Sequence, residues 1–172
     1  MPVSRPLVLV GPMGAGKTSV GRRVARRLGV EFVDTDASVQ RVHGPIEQIF
    51  ADQGEDVFRG YERDAVRDAL SAPRVVSLGG GAVLDADTQA DLERCDVVLL
   101  TVAPRVVATR VQGSTRPLLR GDDALAEWSR IFAERRPVYE RVASLRLDTS
   151  DGPLQHTVDE IVHWVHAQEE TA

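Results

Sequence analysis

Eight residues near the start of the chain, Gly11-Pro12-Met13-Gly14-Ala15-Gly16-Lys17-Thr18, have the form G-x-x-x-x-G-K-[ST]. Glycines at this spacing let successive backbone N–H groups turn toward a polyphosphate, and a helix starting behind them adds its positive dipole end. Gly14, Ala15, Gly16, Lys17, Thr18 and Ser19 are therefore candidate nucleotide-binding residues. Lys17 would meet the β- and γ-phosphates as a point charge, and the Thr18 hydroxyl would ligate Mg2+. A second pointed cluster is Asp34-Thr35-Asp36. Two carboxylates one residue apart on extended chain face different ways, so one can serve a metal and the other an acceptor hydroxyl. Asp36 has a plainer alternative, capping the N-terminus of the helix that follows.

These groups need elements to hold them. Short apolar, β-branched runs at Leu7–Val10, Glu31–Val33, Arg74–Leu78, Val97–Val102 and Leu145–Leu147 alternate with stretches of helical periodicity. Val20, Val24 and Leu28 share one helix face, Val66 and Leu70 another, and Val158, Ile161, Val162 and Val165 a third. That alternation predicts an α/β domain with a five-stranded parallel sheet flanked by helices, and the phosphate-loop motif after its first strand makes it a candidate P-loop NTPase fold. No repeat or linker divides the chain, so 1–172 reads as one domain. The glycine loop directly follows the first strand and opens the first helix, the context its chemistry requires. Asp34–Asp36 falls at the carboxyl edge of the second strand, where ligands of parallel sheets bind. The polar segment 112–123, QGSTRPLLRGDD, interrupts two helical stretches and is expected to be a mobile lid.

Composition narrows the function. The net charge of −5 disfavours a general nucleic-acid binder. The apolar runs are too short to cross a bilayer, and the N-terminus lacks a signal peptide's long apolar region. One cysteine, Cys95, allows no internal disulfide and fits a reducing compartment. Without a single asparagine, and with Lys17 the only lysine, the chain cannot carry the guanine-reading N-K-x-D motif of switch GTPases. A small phosphotransferase passing a γ-phosphoryl group to a small acceptor remains.

Further along lie Phe58-Arg59-Gly60-Tyr61-Glu62, then Gly79-Gly80-Gly81. Arg116-Pro117-Leu118-Leu119 and Glu134-Arg135-Arg136-Pro137-Val138-Tyr139 follow. With the glycine loop and Asp-Thr-Asp, this ordered set resembles the shikimate kinases over nearly the whole chain. The resemblance implies a nucleoside-monophosphate-kinase-like fold and transfer of the ATP γ-phosphoryl to the 3-hydroxyl of shikimate with Mg2+. It implies that Asp36 holds the acceptor hydroxyls and acts as candidate base, and that Lys17 and Arg116 join it in catalysis. Arg59 and Arg135 would grip the shikimate carboxylate, and Phe58, Gly79, Gly80 and Gly81 would complete the acceptor site within and beyond a helical segment of about 36–71. Asp34 would reach Mg2+ through water, and Glu62 would orient Arg59. A cytoplasmic monomer in aromatic amino-acid biosynthesis is implied as well. A P-loop kinase of another small acceptor, such as gluconate, is the alternative.

Elementary chemistry agrees with these roles. Guanidinium forks bind a planar carboxylate bidentately and stay charged when desolvated. Glycines let backbone approach a flat ring ligand without a Cβ clash. For adenine, Arg110 and Pro153 are the candidates, beside a short Thr149–Pro153 loop. Ser77 stands where many P-loop enzymes carry an acidic residue, which shifts metal work to Thr18 and Asp34. Arg22, Arg23, Arg26 and Arg27 read as a solvated helix face, His163 and His166 likewise, and Trp128 and Trp164 as packing residues.

Overall fold

The computed structural model describes residues 3–110 and 123–171. Its elements run β1 (Leu7–Val10), α1 (Lys17–Leu28), β2 (Phe32–Asp34), α2 (Thr35–His43), α3 (Ile46–Gln53), α4 (Glu55–Ala69) and β3 (Val75–Ser77). A short 3-10 turn (Ala82–Leu84), α5 (Ala86–Leu92), β4 (Asp96–Thr101), α6 (Pro104–Arg110), α7 (Ala124–Val142), β5 (Leu145–Asp148) and α8 (Leu154–Thr171) follow. The strands form one parallel sheet in the order β2-β3-β1-β4-β5. The chain leaves central β1 toward one edge and returns to build the other, so the loop after β1 sits at the switch point where such sheets bind ligands.

Side chains of β1 alternate between two cores. Leu7 and Leu9 join Val20, Val24, Val98, Leu100 and Ile161 beneath α1 and α8. Val8 and Val10 join Val66, Val76, Leu99 and Tyr139 beneath α4 and α7. With both faces covered, all four β1 residues are buried, which is why that strand reads as an unbroken apolar run. A third, smaller core of Val39, Ile49 and Phe58 ties α2, α3 and α4 together over the carboxyl edge.

The five expected strands are all present, with no end shifted by more than one residue. One shift matters: β2 extends to Asp34, and helix α2 starts at the next residue. Asp34-Thr35-Asp36 is therefore not extended chain. The N-cap of α2 is Asp34, whose Oδ1 accepts from the Ala37 N–H at 3.1 Å; Asp36 lies inside the first turn. The two carboxylates still diverge, because a cap residue and a first-turn residue leave the helix on different sides.

Candidate active site

The turn from β1 into α1 depends on glycine. Gly11 has φ +142°, and a Cβ there would stand 2.1 Å from the Leu100 carbonyl oxygen, so the chain must cross β4 without a side chain. Gly16 caps α1 in left-handed conformation. Two carbonyls of this loop accept from the Lys17 ammonium, Gly11 at 2.8 Å and Pro12 at 3.1 Å. Beneath it, buried Ala15 offers its carbonyl to Thr149 Oγ1 at 2.7 Å. Gly14, Gly16, Lys17, Thr18 and Ser19 line a small cleft that also touches Asp34, Asp36 and Gly80. Thr18 Oγ1 donates to Asp34 Oδ2 at 2.7 Å, so the two expected metal-side oxygens already stand together.

A larger cleft of about 330 Å³ opens beside it, between the loop and the α2–α3–α4 layer. Met13, Asp34, Asp36 and Gly80 line both clefts, and on its far side the larger one is lined by Phe58, Arg59, Glu62, Gly81 and Arg135. The structure thus brings the candidate phosphate side and the candidate acceptor side into one continuous space, with Asp36 at the junction.

Two arginines reach this cleft from different helices. Arg59 of α4 donates to Glu62 Oε1 at 2.8 Å and to Glu55 Oε1 at 3.2 Å. Burial works against its charge, yet the Glu62 carboxylate overcomes that and leaves the guanidinium above its ordinary pKa. Arg135 of α7 is buried, only 8% exposed. Glu62 sits on the buried stripe of α4 with Phe58, Val66 and Ala69. Burial pushes its pKa up, against the pull of Arg59 and Arg135. A carboxylate in a core position of an amphipathic helix is itself a sequence signal of function, since unpaired acids are seldom buried.

The glycine run reaches both clefts, Gly79 and Gly80 the smaller and Gly80 and Gly81 the larger. The space where side chains would stand is filled by the protein's own charged groups. A Cβ on Gly79 would meet Asp36 Oδ1 at 2.5 Å and Glu62 Oε2 at 2.9 Å, and one on Gly81 would meet Arg59 Nη1 at 2.6 Å. On Gly80 it would come within 3.1 Å of Arg135 Nη1 and 3.6 Å of the Tyr139 hydroxyl. Absent side chains let the backbone wall press directly against Asp36, Arg59 and Arg135.

The remaining expectations sort clearly. Arg110 lies at the nucleotide end, donating to the Gly14 carbonyl at 2.6 Å and the Thr149 carbonyl at 3.3 Å. Pro153 is exposed just before α8. Arg116 and residues 112–122 of the expected lid lie outside the described residues. Ser77 is buried at the end of β3, its carbonyl accepting from Thr35 Oγ1. Arg22, Arg23, Arg26, Arg27, His163 and His166 are exposed, and Arg27 pairs with Asp159 at 2.7 Å. Trp128 packs in the core, but its indole also donates to the Met13 carbonyl at 2.8 Å, holding the glycine loop from α7. Met13, Gln40, Ile46, Glu47 and Phe50 line the larger cleft without having been singled out in the sequence. Met13 is a variable position of the glycine loop; the other four belong to no motif, and their signal is only their place on the layer above the carboxyl edge. No helix among the described residues is long and apolar enough to cross a membrane.

Comparison with known proteins identifies the family. Residues 13–166 match the shikimate kinase family. A shikimate kinase of Thermobifida fusca is 47% identical over 161 residues, covering 91% of each chain. The structure of a shikimate kinase from Acinetobacter baumannii in complex with shikimate superposes with a TM-score of 0.90 at 33% identity, covering 95% of this chain and 94% of that one. A gluconokinase from Sinorhizobium meliloti, at 21% identity and a TM-score of 0.66 over 99% of this chain and 97% of its own, shares the fold. The chain belongs to the shikimate kinase family.

Proposed function

We propose that this chain transfers the γ-phosphoryl group of ATP to the 3-hydroxyl of shikimate. The observation that carries the reading is the pairing of Arg59 and Arg135, set around buried Glu62, in a cleft that shares Asp36 with the phosphate loop. Two guanidiniums from different helices fix both the position and the orientation of a carboxylate. Its ring then lies against Phe58 and the glycine wall, with its hydroxyls toward Asp36. A bond forms between the 3-oxygen and the γ-phosphorus while the bond from that phosphorus to the β,γ-bridging oxygen breaks. The hydroxyl proton passes to the Asp36 carboxylate, and ADP leaves. Lys17 turns from the loop carbonyls to the β- and γ-phosphate oxygens, and the loop N–H groups hold the rest of the polyphosphate.

The donor set beside Lys17 fits Mg2+: Thr18 Oγ1 and Asp34 Oδ2 are hard oxygens already in contact. Thr18 would bind the ion directly and Asp34 through water, and the bound ion would supply charge neutralisation at the β- and γ-oxygens. Arg110, placed against Gly14 and Thr149, would serve the nucleotide end.

A coupled ADP-release assay with Mg·ATP and shikimate, gluconate or no acceptor tests the reading. ADP release that depends on shikimate is expected. Release that follows gluconate, or ATP binding without turnover on either acceptor, refutes it.

A further inference from the structure

The wall made by Gly79, Gly80 and Gly81 raises a physical problem. Three consecutive residues without a Cβ have the widest conformational freedom a chain can have, yet here they must hold one shape. Two of their fastenings are local turns, and one, from Gly79, reaches α2. The Gly79 N–H donates to Thr35 Oγ1 at 3.0 Å, the Gly79 carbonyl accepts from Ala82 at 3.0 Å, and the Gly81 carbonyl accepts from Leu84 at 3.1 Å. The Gly80 carbonyl is fastened differently. It accepts from the hydroxyl of Tyr139, on α7 and 59 residues away in sequence.

That hydroxyl is well suited to the task. Tyr139 is 1% exposed, and its ring packs among Leu78, Val83 and Leu99, 6.3 Å from the Phe132 ring. Burial lifts its pKa to about 12, so the group remains an O–H donor throughout the working range. It lies four residues, one helical turn, after Arg135 on the same helix. Both groups stand against Gly80. Because a trans peptide sets its N–H opposite its carbonyl, fixing the Gly80 carbonyl also fixes the direction of the Gly81 N–H.

We infer that Tyr139 is a positioning residue for the acceptor: through one hydroxyl it holds the glycine wall in register with Arg135 of the same helix. The proposal rests on the reading of this cleft as the shikimate site. Tyr139 makes no contact with reacting atoms and takes no proton. What it supplies is a fixed separation between the group that grips the carboxylate and the backbone that flanks the ring.

Tyr139→Phe in the full chain is the test, since it keeps the packed ring and deletes only the hydroxyl. The change removes the bond to the Gly80 carbonyl and the hydroxyl's contact with Arg135, which corresponds to at least about a three- to tenfold change. The KM for shikimate is expected to rise by that factor with the KM for ATP within twofold of the parent. In the ligand-free protein, amide hydrogen exchange over residues 79–84 is expected to quicken while the melting temperature changes little. A merely structural role would lower the melting temperature and weaken both substrates alike, and that result overturns the inference. Unchanged exchange over 79–84, or an unchanged KM for shikimate, overturns it too. If the parent enzyme does not turn over shikimate, the functional reading fails; the exchange measurement needs no substrate and still decides whether Tyr139 fastens the wall.

Discussion

Gly79→Ala isolates the contact between the glycine wall and the candidate base. The new methyl carbon would stand 2.5 Å from Asp36 Oδ1, where ordinary contact begins at 3.4 Å, so the carboxylate must retreat by about 0.9 Å. Its second neighbour, Glu62 Oε2 at 2.9 Å, must give way as well. Gly79 has no positive φ, so alanine strains no backbone torsion and the effect is one of space. Overpacking of this kind costs about 1–3 kcal/mol of stability. Displacing a catalytic group by about 1 Å costs on the order of 100-fold in rate. The coupled ADP-release assay should therefore show kcat lowered by about that factor and the KM for ATP little changed, because the Lys17 loop is untouched. Gly60→Ala is the matched control. Gly60 is exposed in α4, one residue from Arg59, and a Cβ there meets nothing within 4 Å. Alanine at that position should stabilise the helix by about 0.5–1 kcal/mol and leave kinetics unaltered. A Gly79→Ala enzyme whose kcat stays within threefold of the parent would refute the reasoning, since Asp36 would then tolerate displacement or take no part.

Other perturbations separate the remaining roles. Arg135→Lys keeps the charge but loses the fork, and a charge-assisted hydrogen bond is worth about 1.5–3 kcal/mol; the KM for shikimate should rise at least about tenfold with the KM for ATP steady, measured by initial rates. Asp34→Asn should raise the Mg2+ concentration for half-maximal rate by about 10–100-fold, and a magnesium titration at saturating ATP and shikimate that overlays the parent's would remove Asp34 from the metal side. Cys95 is buried, and burial lifts its thiol from 9.0 to about 11. Between those values the unfolded chain ionises first, so the stabilising term is intact below pH 9 and is lost as pH climbs toward 11. Melting curves of Cys95→Ala should fall less steeply than the parent's over that interval.

Much of this was legible in the residues. The 3.6-residue stripes and short apolar runs marked α1, α4, α8 and all five strands, because the two-sided sheet demands unbroken apolar strands at its centre. Lys17, Thr18, Asp34, Asp36, Arg59 and Arg135 stood out because each is the wrong residue for mere packing or belongs to a spaced motif. What stayed hidden was contact between distant segments. Nothing local to Gly79–Gly81 says that Asp36, Arg135 and Arg59 fill the space of their missing side chains. Which acid caps α2 was hidden as well: Asp36 stood only as an alternative cap, and Asp34 takes that place because β2 runs one residue further than its apolar pattern. Trp128 read as packing and Tyr139 was given no role of its own, since only the fold reveals that their polar tips reach the Met13 and Gly80 carbonyls.

The distribution of cations follows from the same geometry. Of 21 basic residues, 20 are arginine, and the single lysine is Lys17. At Arg59 and Arg135 a planar fork is required, because the proposed partner is a planar carboxylate and the site is buried enough that a strongly hydrated ammonium would cost more to desolvate. At position 17 the requirement reverses. The ammonium rests on two carbonyls of its own loop, Gly11 and Pro12, and a compact group with three donors can rotate from those neutral acceptors to anionic phosphate oxygens without moving the backbone. A guanidinium holds its donors in one rigid plane and is less suited to that exchange.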